Sequence, residues 1–364
     1  MTITTRDNDR FNALTPGGSS RTRARGTSSR RGLIVAMATM ALVMSAHAAP
    51  YTAGLHRLEV PYFDTKIDVA IWAPARAPES HIEAGPFSPD AAAGAAIAAG
   101  RHPLLLLSHG TGGMNLNHHT LAAALARQGY IVAAPTHPGD NYRDRGMIAD
   151  PRYWQERPRQ LVVTLDALLA SARFGGAIDD HRIGAIGHSA GGFAVGALAG
   201  LRPDRARLGA HCARSSDPAC AYADPSFGVV DPRPQAFVLP ADFAPASTVD
   251  DPRIGAVAML APLAAVFADD ARARPQLRLM MIEAEHDEVL TRDDHAARLR
   301  RLEPRVEAAV LDGAGHFGFM APIAPRWRPM LGMIARDPAG FDRAAAQTWL
   351  ANRLGDWFDR SLGR

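Results

Sequence analysis

The chain has 364 residues, 47% hydrophobic and 21% charged, which is globular material enough for one large domain or two small ones. Of its 40 Lys+Arg only Lys66 is a lysine, and it follows Thr65. A Walker-type phosphate loop needs a Gly-Lys pair, so that nucleotide chemistry is excluded, and a lysine Schiff base would have to fall on this one strand-like position. The formal charge of +3 misleads, because residues 1–48 carry a net +5 and residues 49–364 a net −2. With the basic surplus confined to the leader, no arginine stripe points to nucleic acid.

Residues 1–48 read as an export signal. Arg30-Arg31 precede an apolar run, Leu33 to Ala46, and Ala46-His47-Ala48 is an A-x-A cleavage pattern. The run falls short of the roughly 20 residues that span a bilayer. Ser29-Arg30-Arg31-Gly32-Leu33-Ile34 also resembles a twin-arginine signal. The expectation is a periplasmic or secreted protein with no membrane anchor after cleavage; an uncleaved anchor is the alternative. In an oxidising compartment Cys212 and Cys220, the only cysteines, suit a small disulfide loop better than a zinc cluster, which would need further ligands.

Past the leader, Leu58 to Phe63 and Ile67 to Trp72 read as two antiparallel strands, and residues 75–102 as a low-complexity surface excursion. Leu104-Leu105-Leu106-Leu107 is continuously apolar, as in a strand buried on both faces. A helix from about Asn115 to Arg127 stops at Gly129, and Tyr130 to Ala134 form the next strand. A second helix opens at Pro158 and sets Leu161, Leu165, Leu168 and Leu169 on one face. Arg182 to Ile186 form a strand that runs into Gly187-His188-Ser189-Ala190-Gly191-Gly192. Later strands are Ile254–Leu260, Leu277–Ile282 and Val306–Leu311, and a closing helix carries Leu350, Leu354, Trp357 and Phe358. This alternation means a mostly parallel sheet with helices on both faces. Residues 202–252 hold eight prolines and both cysteines, and read as a cap inserted into the pattern.

Gly187-x-Ser189-x-Gly191 follows a strand and opens a small-residue helix, the setting of a nucleophile elbow. An incidental serine on a Gly-rich turn is the bland alternative. A serine needs a base, and the base an orienting acid. Downstream histidines are His211, His286, His295 and His316. His316 stands in a Gly-rich loop just after the last strand and is the candidate base. Asp287 follows the strand Leu277–Ile282 and is the candidate acid; Glu285 and Glu288 are near enough to substitute. No acid closely follows Ile254–Leu260. The oxyanion needs two backbone N–H donors, expected at Ala190 and at Thr111 in Ser108-His109-Gly110-Thr111-Gly112-Gly113. That loop fails as a dinucleotide fingerprint, because the third glycine would fall on Asn115. His109 is expected to brace it.

These segments, with Ala134-Pro135-Thr136-His137-Pro138-Gly139-Asp140-Asn141, resemble the α/β-hydrolase fold over roughly residues 55–360. Within it, the likeness is to bacterial proteins of the group that joins platelet-activating-factor acetylhydrolases and dienelactone-hydrolase-like proteins. True dienelactone hydrolases use a cysteine where this chain has Ser189, and the acetylhydrolases of higher organisms place their acid after an earlier strand, where Ala261 and Pro262 stand. The resemblance implies an α/β-hydrolase domain over 49–364 with a cap at 202–252. It implies a serine esterase that forms an acyl-enzyme on Ser189, with His316 as base, Asp287 as its orienting acid, and neither cofactor nor metal.

The expected partner is a small-molecule or lipid-like ester of short to medium acyl length. Phe317, Phe319, Met320, Trp327, Met330, Leu331 and Met333 could line an acyl pocket or pack the closing helix. A peptidase or amidase on the same fold and a catalytically silent binding module are the competing readings.

Overall fold

The computed structural model describes residues 51–223 and 237–363. The leader at 1–48 and residues 224–236 of the proline-rich segment lie outside the described residues. The strands are β1 (Thr52–Tyr62), β2 (Thr65–Ala75), β3 (Ser80–His81), β4 (Asp90–Ala93), β5 (His102–Ser108), β6 (Ile131–Thr136), β7 (Ile178–His188), β8 (Ile254–Leu260), β9 (Arg278–Ala284) and β10 (Glu307–Leu311). The helices are α1 (His119–Arg127), α2 (Tyr153–Ala170), α3 (Ala190–Leu198), α4 (Arg205–Cys212), α5 (Ala296–Leu302), α6 (Arg328–Leu331) and α7 (Arg343–Ser361).

All ten strands form one sheet in the order β10-β9-β8-β7-β5-β6-β2-β1-β4-β3. From β6 to β10 the neighbours run parallel, while β2 is antiparallel to both β6 and β1. Parallel strands are buried on both faces, and Leu104 to Leu107 are all inaccessible or nearly so, as their unbroken apolarity requires. Leu121 and Leu125 of α1 pack with Leu350 and Leu354 of α7 in one core. Leu161, Leu165 and Leu168 of α2 pack with Phe193 and Leu198 of α3 in the other. Helices therefore cover both sheet faces.

Two local expectations are corrected. Residues 75–102 are not merely a surface excursion: β4 adds to the sheet beside β1 through Gly54 and Leu55, and β3 pairs with β4. The second helix opens at Tyr153, with Pro158 inside it. Proline there forfeits one helical N–H, but Tyr153, Trp154, Glu156 and Arg157 in the preceding turn are all buried, and that packing carries the helix start back.

Between α3 and β8 the chain leaves the α/β alternation. It forms α4, capped by Asp204 accepting from Arg207 N, and then a 3-10 turn over Pro218–Ala223. A disulfide joins Cys212 to Cys220. No described helix is long and apolar enough to cross a membrane.

Candidate active site

The carboxyl ends of β5, β7, β9 and β10 converge, and the candidate residues stand on the loops that follow them, where open α/β sheets place ligands. β7 ends at His188 and α3 begins at Ala190, so Ser189 occupies the whole turn. Its φ of 57° is in the left-handed region, a strained setting for a side chain with a Cβ. The strain is held by backbone bonds: Ser189 N donates to Leu260 O at 2.9 Å, and Leu263 N donates to Ser189 O at 3.0 Å. The flanking glycines are obligatory. A Cβ on Gly187 would lie 2.1 Å from Gly191 O, and one on Gly191 would lie 2.1 Å from Ser108 O.

Asp287 and His316 meet directly, Nδ1 to Oδ2 at 2.9 Å, with the His316 side chain buried and that of Asp287 largely so. The other Asp287 oxygen accepts from Val289 N at 2.9 Å and Leu290 N at 2.7 Å. Burial works against the Asp287 carboxylate, but the His316 charge and bond, with the two amides, hold its pKa below the ordinary aspartate value. His316 Nδ1 thus donates to a carboxylate, which leaves Nε2 as the ring's acceptor. Glu285 and Glu288, the other acids of this loop, do a different job. Glu288 accepts from His316 N at 2.9 Å and Glu285 from Gly313 N at 2.7 Å, so both fix the histidine loop.

Ser189, Ala190 and Thr111 line one cavity of about 730 Å³. Its walls are Ile148, Trp154, Leu208, Leu263, Val289 and Leu290, with the Cys212–Cys220 bridge on one side. Ala190 is the first residue of α3, so its N–H has no intrahelical acceptor and is available to a ligand. Gly110 lies against the turn, and a Cβ there would be 3.2 Å from Ser189 Cβ. Among the described residues no hydrogen bond joins Ser189 Oγ to His316. The link between them runs through His188, whose ring is 4.8 Å from that of His316 and whose Nε2 is 3.0 Å from His316 O. The Phe317–Met333 group does not line this cavity. Phe317, Phe319 and Met320 are buried in the core with α7 and Trp327 and Leu331 pack against it, whereas Met330 and Met333 are exposed and neither pack the core nor line the cavity.

The structure adds residues that sequence reasoning missed. Asp140 and Arg157 form a fully buried ion pair beneath the Thr111 loop. Asp140 accepts from Gly112 N at 2.8 Å and from Tyr153 Oη at 2.8 Å, while Arg157 also donates to His109 O. His137 bonds Gln160 Oε1 at 2.8 Å through Nδ1 and Ser108 Oγ at 2.9 Å through Nε2. Gln160 Oε1 can only accept, so Nδ1 carries the His137 proton and Nε2 accepts from the serine. His109 Nε2 accepts from His137 N at 3.1 Å and its Nδ1 is 2.6 Å from Gly110 O, which makes it a brace of the loop. The one sequence signal was His137-Pro138-Gly139-Asp140.

His211, Asp217 and His295 gather buried ligand-type side chains in one place. Both imidazole Nε2 atoms reach the same Asp217 oxygen, at 2.8 and 2.7 Å. His295 Nδ1 accepts from Ala264 N at 3.1 Å, so the ring's proton is on Nε2, the atom a metal would need. A metal-ligating histidine donates from its other nitrogen, and His295 does the reverse; the three side chains are joined as a hydrogen-bonded cluster on the Asp217 carboxylate.

Comparison with known proteins agrees with this architecture. No family model and no curated protein matches the chain. Among solved structures, a ferulic acid esterase from Streptomyces cinnamoneus is similar with a TM-score of 0.55 and 18% identity, over 88% of this chain and 92% of that one. At that identity the likeness establishes the fold. This chain has the α/β-hydrolase fold.

Proposed function

We propose that the protein is a serine hydrolase of carboxylic esters. The observation that carries the reading is the constellation at the strand ends: Ser189, held at positive φ, opens into an apolar cavity, and its neighbour His188 contacts the His316 of the Asp287–His316 pair. In the proposed mechanism, His316 Nε2 takes the Ser189 proton as Oγ attacks the ester carbonyl, and Asp287 stabilises the imidazolium. The Ala190 and Thr111 amides receive the oxyanion, His316 returns the proton to the departing alcohol, and water then releases the acyl group by the same steps. The absent Ser189–His316 hydrogen bond is compatible with this, since such bonds tighten in the substrate complex. A cavity of about 730 Å³ suits short- to medium-chain esters. The similar ferulic acid esterase is a further support for ester chemistry. The motifs around Ser108, His137 and Ser189 support kinship with the dienelactone-hydrolase-like and acetylhydrolase-like proteins, and the Cys212–Cys220 disulfide supports an exported protein.

Fluorophosphonate labelling with peptide mapping tests the reading. The expected result is a single adduct on Ser189, absent in Ser189→Ala, together with turnover of p-nitrophenyl butyrate that falls by about three orders of magnitude or more in that variant. Labelling elsewhere, or full turnover by Ser189→Ala, would overturn it. A panel of peptide p-nitroanilides separates amidase from esterase activity.

A further inference from the structure

The cavity that holds Ser189 is apolar almost throughout, and one charged residue lines it among those described: Arg205, at the first position of α4. Its neighbours in sequence are spoken for. Arg202 pairs with Asp270, and Arg207 with Asp269 at 3.0 Å. Arg205 makes neither an ion pair nor a hydrogen bond among the described residues. The carboxylate that feels its charge is Asp150, and Asp150 is already engaged by Arg152, Nε to Oδ1 at 3.0 Å and Nη2 to Oδ2 at 2.6 Å. Asp150 is therefore taken up by Arg152, and the Arg205 guanidinium keeps its donors unengaged by the described residues where it lines the cavity. Among the described residues no Asp or Glu lines the cavity to repel an incoming anion.

The face of α4 that lines the cavity runs from Arg205 through Leu208 to Cys212, so the cationic end and the disulfide end lie about 10 Å apart along the helix axis. An apolar body seated along this face reaches a guanidinium at one end. Beside a low-dielectric wall, that guanidinium acts on an anion more strongly than it would in open water, and its planar donors match a carboxylate in bidentate fashion.

Resting on the ester-hydrolase reading, we infer that the substrate is an anionic ester, an apolar body with a free carboxylate at its far end, and that Arg205 is the residue that selects it. A half-ester of a linear dicarboxylic acid is the simplest member of the class. The ester carbonyl meets Ser189, the methylene chain lies on Leu208 and its facing residues, and the carboxylate meets Arg205.

The test compares monomethyl adipate and monomethyl suberate with methyl hexanoate and methyl octanoate, on the wild type and on Arg205→Ala, Arg205→Lys and Arg205→Glu. The expected result is a half-ester to neutral-ester ratio of kcat/KM that falls by about tenfold in Arg205→Ala, mainly through KM. It falls further in Arg205→Glu and is partly restored in Arg205→Lys. High salt narrows the wild-type preference. Arg205 is exposed at a helix end, so these variants keep the fold, which circular dichroism checks. Binding of monomethyl suberate to Ser189→Ala, measured by calorimetry with and without Arg205→Ala, reads the same contact without turnover. Ratios and affinities unmoved by both Ala and Glu would overturn the inference while leaving the esterase reading intact. A wild type that hydrolyses neither ester series would overturn the esterase reading itself.

Discussion

His188 Nε2 donates to the main-chain oxygen of His316 at 3.0 Å, so the residue before the candidate nucleophile grips the candidate base. Burial first, and then the charges of the neighbouring His316 and His118, hold the His188 pKa well below the ordinary histidine value. A neutral imidazole can donate this bond without placing a second cation beside His316. His188→Ala removes it, and kcat is expected to fall about tenfold at a stability cost of about 1–3 kcal/mol. His188→Gln, whose amide reaches in the same direction, recovers part of kcat. A kcat unchanged in His188→Ala would show that the grip does not position His316.

The buried pair Asp140–Arg157 sets the loop that carries Thr111. Tyr153→Phe removes one donor to Asp140 while leaving the ion pair, and the expectation is a kcat lowered several-fold to about tenfold with about 1–2 kcal/mol lost in stability. Arg157→Ala strands the Asp140 carboxylate in the interior and is expected to cost about 3–5 kcal/mol. Chemical denaturation separates the two. If Tyr153→Phe raises KM alone, Tyr153 serves as a cavity wall and not as a support of the Thr111 loop.

What the sequence disclosed and what it concealed divide along range of contact. The candidates Ser189, His316 and Asp287 stand out in the sequence because each follows a strand of its own, in motifs of a few residues. The pair Asp140–Arg157 was hidden because its partners are 17 positions apart and Arg157 precedes Pro158, the residue that reads as the helix start. The cavity walls were hidden for a similar reason. They come from α4, the disulfide loop and the start of α2, which no local pattern brings together, whereas the aromatic run after His316 is close in sequence to the site and belongs to the core. β4 was missed because Asp90–Ala93 is only four residues long and carries alanines where β-branched residues signal a strand.

Acid should destabilise the fold through its buried histidines. Desolvation holds His109, His118, His119, His137 and His188 below the ordinary histidine pKa, with His118 at about 3 and His119 at about 4. A depressed folded-state pKa means that the unfolded chain takes up protons first. The contribution to stability is complete above about pH 6.5 and is lost as the pH falls toward the folded values. The expected outcome is a Tm that declines steeply between about pH 6.5 and pH 4.5 and changes little above pH 7. A Tm flat across that acid range would show that these rings are not held neutral.

Asp217 ties the disulfide loop to the body of the protein, because its one oxygen accepts from His211 in α4 and from His295 just before α5. Burial opposes its ionisation, but the bonds from His295 and His211 bring its pKa down to about 2. The anchor therefore acts fully above about pH 4 and fails as the pH falls toward 2. The Cys212–Cys220 bridge closes a loop of about 9 residues and contributes about 2–3 kcal/mol by restricting the unfolded segment. Since Cys212, Ala219 and Cys220 line the Ser189 cavity, loosening either restraint should reach the substrate. Asp217→Ala and the double variant Cys212→Ser with Cys220→Ser are expected to raise KM several-fold while kcat changes less, and to speed hydrogen exchange over residues 204–223. Faster exchange with KM unmoved would mean that this loop shields the cavity without contacting what it binds.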